Sequence, residues 1–350
     1  MPKSGTFIRT LIAVAAAAIL AVVAAGTAGA APAKASGTTL SGAGSSFVSP
    51  LVSQWIPAVG SAYGYELQYS PIGSGGGVAA ITARTVDFGA SDAPLTPDQF
   101  SACNGCLQIP WALSATSIIY NLDGVKNLLK MDGATLAKIF LGEVTQWDDP
   151  AIAKLNKGVN LPSTKIAIVH RSDNSGTTYN FTDYLQSVSA EWKSKLGRGV
   201  AVNWPVGAGQ RGSAGVAAGV SQTPGGIGYV DVAFALKNHL KFLAMKNRSG
   251  KYATPGLKGI LAAASSDQKP EATTNELSIV NPPKKFPLAY PISTYTYVIV
   301  PTKSSKAAEL RKFLFWAVTK GQTFGPRLLF QPIPKTVLVV AEKTISKIKS

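Results

Sequence analysis

Three short runs rich in glycine and hydroxyl side chains constrain this chain more than anything else in it. They are Gly42-Ala43-Gly44-Ser45-Ser46-Phe47, Gly73-Ser74-Gly75-Gly76-Gly77 and Arg171-Ser172-Asp173-Asn174-Ser175-Gly176-Thr177-Thr178. Each sits where a strand pattern hands over to a helix pattern. Residues 65–69 alternate like a strand before the second run, and residues 166–170 read as a buried strand before the third. Helical segments follow at residues 48–55, 78–83 and 179–188, with further strands at 227–230 and 295–300 and a helix over about 307–320. Strands alternating with helices predict an α/β chain with a parallel or mixed sheet. Residues 252–291, rich in Pro, Ser, Thr and Lys, read as loops and a return crossing.

A loop that opens a helix has chemical consequences. The first helical N–H groups lack intrahelical acceptors and sit at the positive end of the helix dipole, so they can cradle an anion. Glycine lets the backbone approach a ligand, and hydroxyls add donors. The alternative for each loop is an ordinary N-cap, where Ser and Thr are favoured anyway. None is a nucleotide-binding P-loop, because no Gly-Lys-Ser/Thr follows. Between the second and third runs, Asp87 and Asp92 flank the small-residue turn of Val86-Asp87-Phe88-Gly89-Ala90-Ser91-Asp92-Ala93-Pro94. Asp92 is either a turn residue or an acceptor set among donors.

Lys3 and Arg9 precede an unbroken apolar run over residues 11–25, and Ala28-Gly29-Ala30 suits signal peptidase. Residues 1–30 are expected to be a cleaved secretory signal and residues 31–37 a flexible leader. The alternative is an uncleaved anchor, since uncharged chain continues to Ala33. No cysteine lies near the cleavage site, so the expected product is exported, periplasmic or at the cell surface, without a lipid anchor. The 320 residues that follow exceed what one core usually supports, which predicts two domains.

The net charge of +16 is unevenly spread. Residues 31–234 hold 13 basic and 13 acidic side chains, while residues 235–350 hold 19 basic and 5 acidic. The lysines of the last third are scattered singly, as at Lys237, Lys241, Lys246, Lys251 and Lys258, and read as a solvated surface with no nucleic-acid partner. The two cysteines, Cys103 and Cys106, bracket an Asn-Gly turn and read as a local disulfide outside the cytoplasm. One such pair is weak evidence for zinc, and no other metal-ligand cluster or cofactor motif is present. His170 and His239 are the only histidines, and neither belongs to a Ser/His/Asp pattern.

Across nearly all of the chain after the signal, the motifs resemble the substrate-binding protein of the bacterial phosphate ABC importer, the PstS family. The resemblance is carried by residues 42–47, 73–77 and 85–94, by Leu141-Gly142 with Trp147-Asp148-Asp149, by residues 171–177, and by Pro224-Gly225-Gly226-Ile227-Gly228-Tyr229-Val230. It implies a two-lobed periplasmic-binding-protein fold of type II-like form, with mixed sheets flanked by helices and a ligand cleft between lobes. Lobe 1 would span residues 38–111 plus 291–350, and lobe 2 residues 112–290. Proline-rich stretches near Pro110 and at 287–291 suit the crossings between them.

The same resemblance implies phosphate binding by the Ser46 hydroxyl, the Phe47 amide, the Ser74 hydroxyl and the Asp92 carboxylate from one lobe. The Arg171 guanidinium, the Ser175 and Thr177 hydroxyls and the Gly176 amide would come from the other, with Asp173 holding Arg171 in place. Family members often carry Thr where Ser46 stands and a second Ser where Gly75 stands. The expected partners are inorganic phosphate and an inner-membrane ABC permease, for a monomer with no catalytic residues and no cofactor. Asp92 suits phosphate because a carboxylate accepts the O–H that phosphate carries and sulfate lacks. A secreted phosphatase-like hydrolase and a basic surface adhesion module are the alternatives. Trp55, Trp111, Trp147 and Trp316 are expected in the core or cleft walls.

Overall fold

The computed structural model describes residues 37–266 and 269–350, so the expected signal and all but the last residue of the leader lie outside the described residues. In chain order, β1 (Thr39–Gly44) leads to α1 (Ser49–Tyr63), β2 (Glu66–Ser70) to α2 (Ser74–Thr82), and β3 (Phe88–Ser91) to α3 (Pro97–Ala102). Next come β4 (Cys106–Tyr120), β5 (Lys130–Met131), α4 (Gly133–Leu141) and α5 (Pro150–Ala153). Strand β6 (Ala167–Arg171) opens into α6 (Gly176–Val188) and α7 (Ala190–Lys195). Strand β7 (Ala208–Gln210) opens into α8 (Gly212–Gln222), and β8 (Gly226–Asp231) into α9 (Val232–Lys237). The chain ends through β9 (Lys241–Phe242), β10 (Ala244–Lys246), β11 (Tyr252–Ala253), α10 (Leu257–Ala264), β12 (Ser293–Pro301), α11 (Ala307–Val318) and α12 (Lys335–Ile345).

One mixed sheet holds nine of these strands, in the order β2-β1-β3-β12-β4-β8-β6-β7 with β9 beside β4, and β11-β10-β5 form a separate small sheet. Its two outer runs, β2-β1-β3 and β8-β6-β7, are parallel. The antiparallel strands β12 and β4 join them. Strand β4 pairs with β12 as far as Ala115 and with β8 from Thr116 onward, so a single strand serves both runs. Each parallel run collects strand C-termini and helix N-termini at one edge, the usual place for ligands in α/β sheets.

Pro110 lies inside β4, at the point where pairing with β12 shifts register between Thr296 and Tyr297. Proline lacks the ladder donor, and an irregularity of this kind accommodates it. The run at 73–77, expected as a loop ahead of a helix at 78, contains the first turn of α2. Its glycines serve close approach: a Cβ on Gly77 would lie 2.7 Å from the Ala43 carbonyl and 2.8 Å from that of Ala90. The Pro/Lys-rich stretch holds β11 and α10, and residues 269–292 carry neither helix nor strand.

The four tryptophans singled out above are all buried. Trp55 meets Trp111 and Trp316 edge-on, with centroids 5.2 and 6.2 Å apart, and Trp111 meets Phe88 at 6.1 Å. Trp147 packs on Tyr120. The indole N–H of Trp55 donates to the Gly321 carbonyl and that of Trp111 to the Thr296 hydroxyl, each at 2.8 Å. Replacing Trp55 or Trp111 by Ala is expected to cost about 3–5 kcal/mol. Cys103 and Cys106 are joined in a disulfide between α3 and β4, with Arg84 Nη1 3.5 Å from both sulfurs.

Candidate functional site

The inner ends of the two parallel runs face each other, and the contacts between them are direct. The Gly75 amide donates to the Asn174 carbonyl at 2.9 Å. Ser46 Oγ lies 3.0 Å from Ser213 Oγ and accepts the Ser213 amide at 3.2 Å. A Cβ on Gly176 would strike Ser74 Oγ and lie 2.7 Å from Asp92 Cβ, so glycine is what lets the start of α6 reach the opposite wall. Ser46, Ser74, Asp92, Arg171, Ser175, Gly176 and Thr177 are all buried within this zone.

The first wall is built on β1, α2 and β3. Ser45, between β1 and α1, is completely buried; its hydroxyl donates to Asp92 Oδ1 and accepts the amides of Phe47 at 3.0 Å and Val48 at 3.3 Å. Phe47 therefore has its amide engaged within its own loop, while its ring packs edge-on against Phe330. Ser74, the first residue of α2, accepts the Asp92 amide at 3.1 Å, and its hydroxyl lies 3.5 Å from Asp92 Oδ2. Asp87 is part of the scaffold: it binds the Ser41 amide at 2.8 Å and Lys306 Nζ at 2.9 Å.

The second wall is built on β6, α6 and α8. Arg171 ends β6 and is gripped in two-pronged fashion by Asp173, Nε to Oδ1 at 2.7 Å and Nη2 to Oδ2 at 2.5 Å. Asp173 Oδ1 also accepts the Gly212 amide at 3.1 Å. Arg171 Nη1 stands 3.4 Å from the Thr177 hydroxyl, and its backbone N–H donates to the Tyr229 hydroxyl at 3.1 Å. Ser175 caps α6, accepting the Thr178 amide at 3.1 Å, so its own proton is free to donate elsewhere. Gly176 and Thr177 present first-turn amides at the positive end of that helix.

The carboxyls differ in their titration. Burial pushes Asp92 up to about 7, against the opposing pull of the Ser45 hydroxyl, the Arg171 charge and the Ser74 hydroxyl. Burial also raises Asp231, well above the usual range, and the Asp92 charge adds to it. Asp173 is subject to burial too, yet hydrogen bonds and charge from Arg171 and the amide of Gly212 hold it below the ordinary carboxylate range.

The structure thus brings together the residues that the sequence assigned to phosphate, with Asp173 behind Arg171 and the Phe47 amide turned to Ser45. It adds four that sequence reasoning passed over: Ser45, Ser213, Tyr229 and Asp231. Ser213 carried a readable signal, because Gly212-Ser213 opens α8 directly after β7 as the three chosen loops open theirs. Ser45 carried none, since two adjacent serines do not disclose which hydroxyl turns inward. His170 stacks on Trp204 at 4.8 Å. Among the described residues no group of three or more His, Cys, Asp or Glu side chains is placed to hold a metal, and no helix is long and apolar enough to cross a membrane.

Comparison with known proteins bears on this geometry. A family model for a PBP superfamily domain matches residues 28–320. The phosphate-binding protein PstS of Xylella fastidiosa is 41% identical over 303 residues, 85% of this chain and 82% of the relative. That of Pasteurella multocida is 38% identical over 86% of this chain and 88% of its own, and PstS3 of Mycobacterium bovis is 34% identical over 77% and 76%. Among solved structures, a phosphate-binding protein from Stenotrophomonas maltophilia aligns with TM-score 0.71 at 19% identity, over 87% of this chain and 93% of that one. A high-affinity periplasmic phosphate-binding protein, PfluDING, solved with phosphate at pH 8.5, aligns with TM-score 0.69, also at 19% identity and over 87% and 93% of the two chains. The fold is that of the periplasmic phosphate-binding proteins, and by sequence the chain belongs to the PstS family of phosphate-binding proteins.

Proposed function

We propose that this protein captures inorganic phosphate between two lobes outside the cytoplasm and delivers it to an ABC permease. The observation that carries this reading is a buried carboxyl, Asp92, set opposite a buried guanidinium and the donor-rich N-terminus of α6. Such a site suits an oxyanion that brings its own proton. Phosphate at neutral pH carries an O–H for Asp92 to accept, while its other oxygens take the Arg171 N–H groups that Asp173 leaves unused and the neutral donors. Sulfate would present only lone pairs to the carboxylate in a desolvated cleft.

In this reading Ser46, Ser74 and Asp92 bind from one side, and Arg171, Ser175, Gly176 and Thr177 from the other. Asp173 orients Arg171. The Phe47 amide contributes by sharing its hydrogen between Ser45 Oγ and a phosphate oxygen. The lobes are residues 38–111 plus 291–350 and residues 112–290, with β4 running between them. Hinge closure about that connection excludes water from the anion. The protein acts as an exported monomer without catalysis and without a lipid anchor. A hydrolase would need an activated nucleophile, and His170, held against Trp204, is not paired with a loop serine.

Calorimetric titration of purified protein with phosphate, sulfate and arsenate tests the reading. Tight phosphate binding that sulfate does not displace is expected. Unimpaired phosphate retention by an Asp92→Ala/Arg171→Ala double variant would overturn the site.

A further inference from the structure

The proposed phosphate reading depends on Asp92 remaining an acceptor, and its surroundings pull in both directions. Arg171 at the end of β6 favours the charged form of Asp92, Asp231 at the end of β8 opposes it, and Tyr69 on β2 senses that charge, while Tyr179, Asp183 and Glu276 line a small cavity beside Asp92. Burial at 2% exposure opposes the charged form most strongly. Against that burial, the largest pull toward the charged form comes from the hydroxyl of Ser45.

A serine hydroxyl has one proton and two lone pairs, and ordinarily rotates to suit its neighbours. That of Ser45 is not at liberty to do so. The amides of Phe47 and Val48 both donate to it, at 3.0 and 3.3 Å, which occupies its acceptor capacity. The Tyr69 hydroxyl donates to the Ser45 carbonyl at 2.7 Å and the Ser45 amide donates to the Ala90 carbonyl at 2.9 Å, fixing the backbone from which the side chain projects. Only the hydroxyl proton remains, and it is directed at Asp92 Oδ1. A donor locked in this way fits a carboxylate and misfits a carboxylic acid whose proton sits on that oxygen. The second oxygen, Oδ2, has the more distant Ser74 hydroxyl as its neighbour at 3.5 Å.

We propose that Ser45 is a positioning residue for anion selectivity: its locked hydroxyl holds Asp92 as an acceptor, turned so that Oδ2 receives the ligand's O–H. The site thereby prefers oxyanions that carry a proton at neutral pH, phosphate and arsenate, over sulfate. This rests on the phosphate reading above and assigns the selectivity to a residue outside the set proposed to touch the ligand.

The test is calorimetric titration with phosphate and with sulfate between pH 6 and 9, on wild type, Ser45→Ala, Asp92→Asn and the double variant. Loss of the Ser45 donor favours protonated Asp92, which can donate to sulfate. In Ser45→Ala the phosphate-over-sulfate ratio is therefore expected to narrow about tenfold, and sulfate binding to persist to higher pH. In the double variant the Ser45 change is expected to add nothing to Asp92→Asn, since it acts through that carboxyl. Ser45→Cys, which keeps the shape with a weaker donor, is expected to fall between Ser and Ala. Unchanged selectivity and pH profile in Ser45→Ala and Ser45→Cys, with phosphate still bound by wild type, would overturn this inference alone; so would full additivity in the double variant. Absence of phosphate binding by wild type would overturn the phosphate reading, and this inference with it.

Discussion

Asp92 and Asp173 stand on opposite walls of one cleft, both neighbours of Arg171, and they titrate in opposite directions. Asp173, with its side chain 14% exposed, takes both prongs of the guanidinium and a backbone amide as well. Asp92, 2% exposed, receives only through-space attraction from the same cation, because the fork is already turned toward Asp173. Direct hydrogen bonding to a cation thus outweighs partial burial, while distant attraction does not outweigh complete burial. One wall holds a charge-compensated donor that is fixed before any ligand arrives. The other holds a carboxyl close to its titration midpoint at neutral pH.

The strongest way to break this contrast is to remove the cation both carboxyls share. Arg171→Ala leaves Asp173 without its partner and the cleft without its only positive side chain among the residues assigned to the ligand. Truncating one member of a buried hydrogen-bonded charge pair costs a few kcal/mol, so phosphate affinity is expected to fall roughly 10³-fold by calorimetry. An effect under about tenfold would show that the α6 N-terminus and hydroxyls suffice.

Stability against pH separates the two carboxyls without any ligand. Asp92 has a folded value of about 7 against 3.8 in the unfolded chain, so the native state binds more protons between those values. Its contribution is fully present below about pH 4 and is lost as pH rises through about 7, by roughly 4 kcal/mol over the window at most. Asp173, lowered in the folded state, contributes stability above its unfolded value that is lost on acidification through its folded one. Denaturant melts of phosphate-free protein from pH 4 to 8 are expected to show a decline to which Asp231, also raised, contributes, and Asp92→Asn to make it shallower. A variant with an unaltered slope would assign the decline to Asp231.

Geometry distinguishes the walls next. Gly176→Ala keeps every donor and carboxyl, but its new methyl would meet Ser74 Oγ and Asp92 across the gap. Phosphate affinity is expected to drop about a hundredfold, since a small misplacement propagates to every contact. The melting temperature should fall as well, because the methyl would lie 2.7 Å from Asp92 Cβ and 2.8 Å from its backbone nitrogen, and one wall must give way. Wild-type affinity in this variant would mean that the two walls need not approach so closely.

Which of these features can be read from sequence depends on how local their cause is. Loops at 42–47 and 171–177 announce helix N-termini through their own residues, and the Asp92 turn is equally local. Strand–helix alternation around β6, α6, β12 and α11 follows from short-range pattern, and their expected positions lie within a few residues of the observed ones. What is not legible arises from contacts across the fold. Pro110 looks like a break until the register shift opposite Tyr297 accommodates it. Residues 73–77 look like a loop because glycine is a poor helix former, yet Gly77 is required by the backbones of Ala43 and Ala90. Ser45 and Ser46 are indistinguishable as letters, and only the β1–β3 pairing that brings Gly44 beside Ala90 sends the first toward Asp92 and leaves the second to Ser213.

Sulfate gives the finest probe of the contrast, because it reads the protonation of Asp92 alone. Sulfate has no O–H at neutral pH, so it can meet Asp92 favourably only when the carboxyl carries a proton. With the folded value at about 7, the protonated fraction falls tenfold for each unit of pH above that. Sulfate affinity is therefore expected to fall about tenfold per unit between pH 7.5 and 9 and to level off below 6.5. Phosphate should follow a shallower course, since it supplies the shared proton itself when Asp92 is ionised. In Asp92→Asn the amide is a permanent donor, so the sulfate profile should flatten and the gap between the two anions close. Asp173→Asn provides the contrast: its carboxyl is ionised throughout this range, so the sulfate slope should survive even where affinity for both anions declines. A slope lost in Asp173→Asn and kept in Asp92→Asn would reverse the roles assigned to the two walls.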